Sequence, residues 1–224
     1  MNIFEINEKF EKVGCLTFAT IDNGYPETRI AHFVACDEEG LYFMTMKVKP
    51  FYRQVKESGK VSACGMSAST NVAEDENGMP VFEPGYTIRV TGDVKEISFD
   101  ELKKKAEKND DFISCVKDIE RYNNMTTFCL YRGKGEIFDY DFEMQSRENK
   151  IYREKFSFGG FETKFRGMKI NSNCIGCGKC QRSCTFKAIN KKEDGTYKIN
   201  SNRCDVCGSC QMVCPSKAIE VYNE

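Results

Sequence analysis

Apolar residues Ile3, Phe4, Ile6, Phe10 and Val13 recur near one helical face and Gly14 offers a stop, so residues 3–13 predict a short opening helix. The period then shortens. Residues 15–21 read as a strand, Asp22-Asn23-Gly24 as a tight turn, residues 27–36 as a longer strand, and residues 41–45 as a third after the turn at 37–40. Phe51, Tyr52 and Val55 return to helical spacing between Lys49 and Ser58, Gly59 punctuates, and residues 61–66 resume extended structure. Residues 67–85, rich in Ser, Asn, Gly, Pro and acid, predict a long loop that covers a site. Residues 86–97 read as a further strand, Ser98 with Glu101 as a capping box opening a helix through about residue 108, and residues 111–121 as a second helix. Residues 126–131 and 136–142, separated by Arg132-Gly133-Lys134-Gly135, predict a closing hairpin. Six strands with few helices predict a barrel.

Residues 143–169 form a charged stretch with Phe156, Phe158, Phe161 and Phe165 around Gly159-Gly160, unlike a flexible Gly/Ser linker. They predict an ordered connector whose rings pack between two domains, 1–142 and 170–224. With 224 residues, 40% hydrophobic and 30% charged, the chain can bury a real core, which excludes wholesale disorder. A net charge of -1 gives no broad pull toward nucleic acid or an anionic membrane, so neither is expected as a partner. The apolar runs fall far short of the roughly 20 residues that span a bilayer, and the charged N-terminus does not resemble a signal peptide. A cytoplasmic location is expected.

Cysteine is the outlier. Thirteen cannot all pair within one chain, which points to a reducing compartment rather than a disulfide scaffold. Five of them (Cys15, Cys36, Cys64, Cys115, Cys129) are scattered, and those in strand patterns are expected to act as small buried hydrophobes. His32, the only histidine, reads as a polar strand residue, and no dinucleotide fingerprint or Walker loop is present. The other eight cysteines repeat with a period of 30: Cys174, Cys177, Cys180 and Cys184 return as Cys204, Cys207, Cys210 and Cys214, and Lys187-Ala188-Ile189 returns as Lys217-Ala218-Ile219. Each half reads C-x2-C-x2-C-x3-C, the run in which three thiolates hold one iron-sulfur cluster and the fourth reaches to its partner. Paired C-x2-C alone would leave zinc open; the third cysteine decides against it. The expected ligand sets are therefore Cys174, Cys177, Cys180 with Cys214, and Cys204, Cys207, Cys210 with Cys184. Gly176, Gly178 and Gly208 would let backbone N–H groups approach the sulfurs.

Residues 170–222 thus resemble a bacterial-type ferredoxin with two [4Fe-4S] clusters. One departure is Thr185, where proline normally follows the fourth cysteine as it does at Cys214-Pro215; the change could loosen or retune that cluster. From Lys169 onward the net charge is +4, against -5 for the rest, which could draw the modules weakly together.

Residues 13–140 resemble the FMN-binding split barrels related to pyridoxamine 5'-phosphate oxidase. The likeness rests on the order of Cys15-Leu16-Thr17-Phe18-Ala19-Thr20, Pro26 with Arg29, Leu41-Tyr42-Phe43-Met44-Thr45, then Lys49, Tyr52, Arg53 and Gln54, and finally Arg89-Val90-Thr91-Gly92. The resemblance implies an α+β protein: an antiparallel FMN-binding split β-barrel followed by a small ferredoxin-like domain with two iron-sulfur clusters. It also implies a homodimer with FMN at its interface. Arg29 and Lys49 would hold the FMN phosphate with Lys47 and Arg53 nearby, Thr45 would give a hydroxyl, and the backbone of Thr28, Ile30 and Met44 would line the ring. Val34 stands where the true oxidases place a substrate-contacting lysine, and their Arg-Pro-x-x-Ser and late Arg-x-His segments are missing, which argues against vitamin B6 oxidation.

The expected activity is that of an oxidoreductase, more coherently an anaerobic reductase than an oxidase. Single electrons would pass between an external carrier and FMN, which reduces or oxidises a small organic substrate. The alternative is a non-catalytic electron-transfer or redox-sensing flavo-iron-sulfur protein; a third reading leaves the barrel without flavin as a dimerisation platform. No side chain is singled out as a proton donor.

Overall fold

The computed structural model describes residues 1–68, 70–74, 76–83, 85–139, 152–162, 166–201 and 203–223. They divide into two compact units: Met1–Ser67, Ile88–Glu136 and Phe156–Phe161 in the first, and Ala68–Thr87, Ile137–Lys155 and Glu162–Glu224 in the second.

The chain opens with α1 (Ile3–Val13), started by a reciprocal cap in which Asn2 Oδ1 accepts from the Glu5 N–H while the Glu5 carboxylate accepts from the Asn2 N–H. Then come β1 (Leu16–Asp22), β2 (Tyr25–Ala31), β3 (Ala35–Asp37), β4 (Gly40–Met46), α2 (Pro50–Ser58) and β5 (Lys60–Ser67). Asn23 and Gly24 both sit at positive φ between β1 and β2, the backbone a two-residue hairpin needs, and register runs from Asp22↔Tyr25 to Leu16↔Ala31. After β6 (Thr70–Glu74) and β7 (Pro80–Glu83) follow β8 (Tyr86–Ile97), α3 (Phe99–Ala106), α4 (Asp111–Arg121), β9 (Met125–Asp139) and β10 (Tyr152–Phe158).

The main sheet runs β2-β1-β5-β8-β9-β4-β3, with β10 on β9. Its two ends, β2 and β3, are joined only by residues 32–34. Four Cα steps reach at most about 14 Å, so the sheet must roll until its ends nearly meet. That is a barrel with a seam. Phe18, Phe43 and Phe128 fill its interior, with Phe43 stacked on Phe51 of α2 at 5.7 Å and on Phe128 at 5.6 Å. A second cluster, Tyr42, Ile97, Leu102, Phe112, Cys115 and Cys129, fixes α3 and α4.

Four expectations change. The strand expected over 27–36 breaks at the seam. The loop expected over 67–85 contains the β6–β7 hairpin, with an irregular register between Asn71 and Ala73. The closing hairpin is one 15-residue strand, β9, for which Gly133 and Gly135 supply clearance rather than a turn: a Cβ on Gly135 would run into the Arg89 carbonyl and the Phe156 ring. Phe156 and Phe158 therefore lie over β9 within the first unit. Finally, Cys15 and Cys64 are exposed, while Cys36, Cys115 and Cys129 are buried. Of the expected connector, residues 143–151 and 163–165, with Phe165, lie outside the described residues, as do residues 140–142 of the expected last strand.

In the second unit β11 (Arg166–Ile170) pairs with β14 (Ile219–Asn223), and β12 (Ile189–Lys191) with β13 (Tyr197–Ile199). Two four-residue helices, α5 (Lys179–Arg182) and α6 (Ser209–Met212), occupy matching places in the repeat. Among the described residues no helix is long and apolar enough to cross a membrane.

Candidate functional site

Each half of the repeat carries its first two cysteines on a loop leading into a short helix, its third within that helix, and its fourth just beyond it. The sulfurs gather around two cavities. One is lined by Cys184, Cys204, Cys207 and Cys210; the other by Cys174, Cys177, Cys180 and Cys214. Apolar side chains such as Met168 and Ile199, or Ile170 and Ile219, complete the walls. Among the described residues no three His, Cys, Asp or Glu side chains close on one point as a single metal ion requires. Four soft donors around an apolar-walled volume fit a polynuclear cluster.

Backbone donors already aim at these sulfurs. The Ala188 N–H donates to Cys184 Sγ at 3.4 Å and the Ala218 N–H to Cys214 Sγ at 3.3 Å, while the Val206 N–H donates to Cys204 Sγ at 3.4 Å. Lys187 and Lys217, left-handed at φ 48 and 52, make the turn that presents each alanine N–H. The match between the halves means that Thr185, in place of proline, leaves this turn intact. Burial pushes the Cys210 thiol up to about 11. Burial also raises Cys204, against the opposing pull of the Val206 N–H and the Arg153 charge. At Cys214 burial is outweighed by hydrogen bonds from Ser216 and nearby backbone, and its pKa falls.

The expected flavin residues lie in the first unit. Thr28, Arg29 and Ile30 are on β2, Met44 and Thr45 on β4, Lys47 and Lys49 in the turn before α2, and Arg53 in α2. Although β2 and β4 are far apart in sheet order, α2 packs on both β1 and β4, and Arg29 reaches it. The Arg29 guanidinium lies 4.4 Å from the Phe51 ring centroid and donates to Gln54 Oε1 at 2.7 Å and Thr20 Oγ1 at 2.6 Å. Desolvation lowers its pKa, leaving it far above neutrality. Lys49 is the N-cap of α2, whose first turn has no acidic residue and no side-chain cap. Exposed Lys47 and Lys49, the Arg29 fork and a free helix N-terminus fit a phosphate dianion.

Arg53 is otherwise engaged, pairing with Asp22 at 2.7 Å and with Glu57 at 3.3 Å. Asp22 also accepts from Gln54 Nε2, so Arg53 steadies Arg29 at second hand. Thr45 is buried, whereas Thr28 and Ile30 are exposed. Gln54, Thr20 and Asp22 were not singled out by the sequence as site residues; their polar side chains lie on mixed elements, which gave little signal.

Comparisons with known proteins match two stretches of the chain. The family description "Pyridoxamine 5'-phosphate oxidase" matches residues 4–126, and "4Fe-4S dicluster domain" matches residues 173–218. No curated protein matches the chain. Among solved structures, a NimC/NimA family protein from Clostridium acetobutylicum is 19% identical with a TM-score of 0.47, covering 70% of this chain and 92% of that one. The heme storage protein HutZ from Vibrio cholerae is 17% identical at 0.39, covering 58% and 90%. PhzG from Burkholderia lata 383, solved with tetrahydrophenazine-1-carboxylic acid, is 13% identical at 0.44, covering 71% and 83%.

Proposed function

Because the chain belongs to the pyridoxamine 5'-phosphate oxidase family and carries a 4Fe-4S dicluster domain, we propose that it is an FMN- and iron-sulfur-dependent oxidoreductase that exchanges single electrons with an external carrier and acts on a small organic substrate. FMN supplies the two-electron chemistry and the clusters the one-electron transfer, while the protein supplies placement and electrostatics. The carrying observation is the crossed grouping of the eight cysteines around two cavities, three from one half and one from the other.

On this reading Cys174, Cys177, Cys180 and Cys214 ligate one [4Fe-4S] cluster, and Cys184, Cys204, Cys207 and Cys210 the other. Arg29 and Lys49 bind the FMN phosphate, with Lys47 adding charge. Arg53, through Asp22 and Gln54, keeps Arg29 in place. Thr28, Ile30 and Met44 offer backbone to the ring, and Thr45 its hydroxyl. Exposed apolar Ile21, Tyr25 and Ile30 on the β1–β2 hairpin support a homodimer that covers this face. Val34 has no charge for a substrate phosphate, which supports a substrate other than pyridoxamine phosphate.

Strictly anaerobic purification tests the reading. The expected product is yellow-brown, holds about eight irons per chain with bound FMN, and has flavin that is reoxidised by a small organic acceptor. Zinc in the tail, or a folded tail without iron, overturns it; reoxidation by a partner protein alone makes it a carrier.

A further inference from the structure

The two halves of the cysteine repeat differ in charge between their first two ligands: Ile175 stands in the first half where Asp205 stands in the second. Ile175 is exposed. Asp205 accepts a 2.8 Å ion-paired hydrogen bond from Nη2 of Arg153, which reaches it from β10, 52 residues earlier in the chain. The Arg153 guanidinium lies 5.0 Å from the Phe138 ring centroid, and its side chain is only 16% exposed. Its Nε is buried with no hydrogen-bond partner among the described residues. Such orphaned donors are rare, and this one belongs to a side chain clamped beside cluster ligand Cys204.

We propose that Arg153 is a positioning residue for the cluster ligated by Cys184, Cys204, Cys207 and Cys210, a fixed cation that sets its reduction potential above that of its twin. Each cluster takes one electron from the external carrier, and a nearby desolvated cation favours the more negative, reduced form. Asp205, which lines the cavity, holds one arm of the guanidinium and so fixes the distance of the charge from the ligand Cys204 next to it in sequence. With Ile175 at the corresponding place, the other cluster has no carboxylate-held, half-buried arginine among the described residues; its nearest counterpart, Arg182, donates to the Cys177 carbonyl at 3.4 Å but is exposed, where water screens its charge. The repeat therefore carries two inequivalent sites, and an electron settles on the Arg153 side. The inference rests on the two-cluster reading above.

Full-length wild type, Arg153→Gln and Arg153→Lys, purified anaerobically and assayed for iron, are titrated redox-potentiometrically with EPR detection. In Arg153→Gln one midpoint is expected to fall by about 59 mV, a tenfold change in a one-electron equilibrium, while the other holds. Arg153→Lys, keeping the charge but not the fork or Nε–H, gives a smaller fall in the same midpoint. Two unmoved midpoints, or two that fall together, overturn the proposal. If Arg153→Gln loses iron, Arg153→Lys decides, and an unmoved midpoint there overturns it; iron loss in both variants does so too, since Arg153 then holds the fold instead of setting a potential. Iron missing from wild type sinks the cluster reading itself, whereas full iron with unmoved potentials sinks only the role of Arg153.

Discussion

Cys36 and Cys129 are buried in the first unit, and burial pushes both thiols up to about 12. Only the thiolate is nucleophilic, so both should resist iodoacetamide at pH 8 while exposed Cys15 and Cys64 are labelled, as peptide mass spectrometry of the intact protein will show. A folded-state pKa raised from near 9 to about 12 favours the folded state below pH 9. That contribution is lost as pH rises toward 12. The basic residues beside α2 separate in the same way. Lys49→Ala removes an exposed charge and should weaken FMN binding about tenfold without moving the unfolding midpoint. Arg29→Ala should weaken binding and also cost about 1–2 kcal/mol of stability, because buried Thr20 loses a donor and Phe51 its cation. Fluorescence titration with FMN and urea unfolding distinguish the two; equal stability losses would contradict this division of labour.

β9 shows how a local signal can mislead. Arg132-Gly133-Lys134-Gly135 has turn composition, yet both glycines are there because β8 and the rings of β10 come too close for a Cβ. Gly135→Ala should destabilise the protein by about 2–3 kcal/mol, read as a lower denaturant midpoint. Adding Phe156→Ala should not rescue it, since the Arg89 carbonyl still obstructs. The helices were legible because their periodicity and stop signals are local: α1 and α4 match the spans expected from Ile3–Val13 and residues 111–121. The β6–β7 hairpin was hidden behind its Pro, Gly and acidic residues. The strand order was not legible either, because β4 meets β9 about 85 residues downstream, with Leu41 opposite Leu130, and no periodicity encodes that pairing. At the site, cysteine spacing forecast which four sulfurs would share a cavity. The Arg153–Asp205 clamp carried no motif, although comparing Ile175 with Asp205 across the repeat would have marked one end of it.

Across the whole molecule the units should answer differently to iron removal. The second has strand pairs of three to five residues, helices of four, and a core in which cysteines sit among a few apolar side chains. So small a core needs its metal, as in other small metal-held domains. Anaerobic chelation should abolish amide protection over 166–223 while β1, β4 and β9 keep theirs in hydrogen exchange. Protection that survives in the tail would show that packing alone holds it. The rolled sheet has a further consequence for how the chain is made. Both edges, β1–β2 and β3–β4, are synthesised within the first 46 residues, but the strands that belong between them end only at residue 139. During translation the nascent chain must carry two unjoined rims for roughly ninety codons, several seconds at about 5–20 residues per second. Throughout that interval its strand edges are open to chaperones, or to another ribosome's unfinished copy.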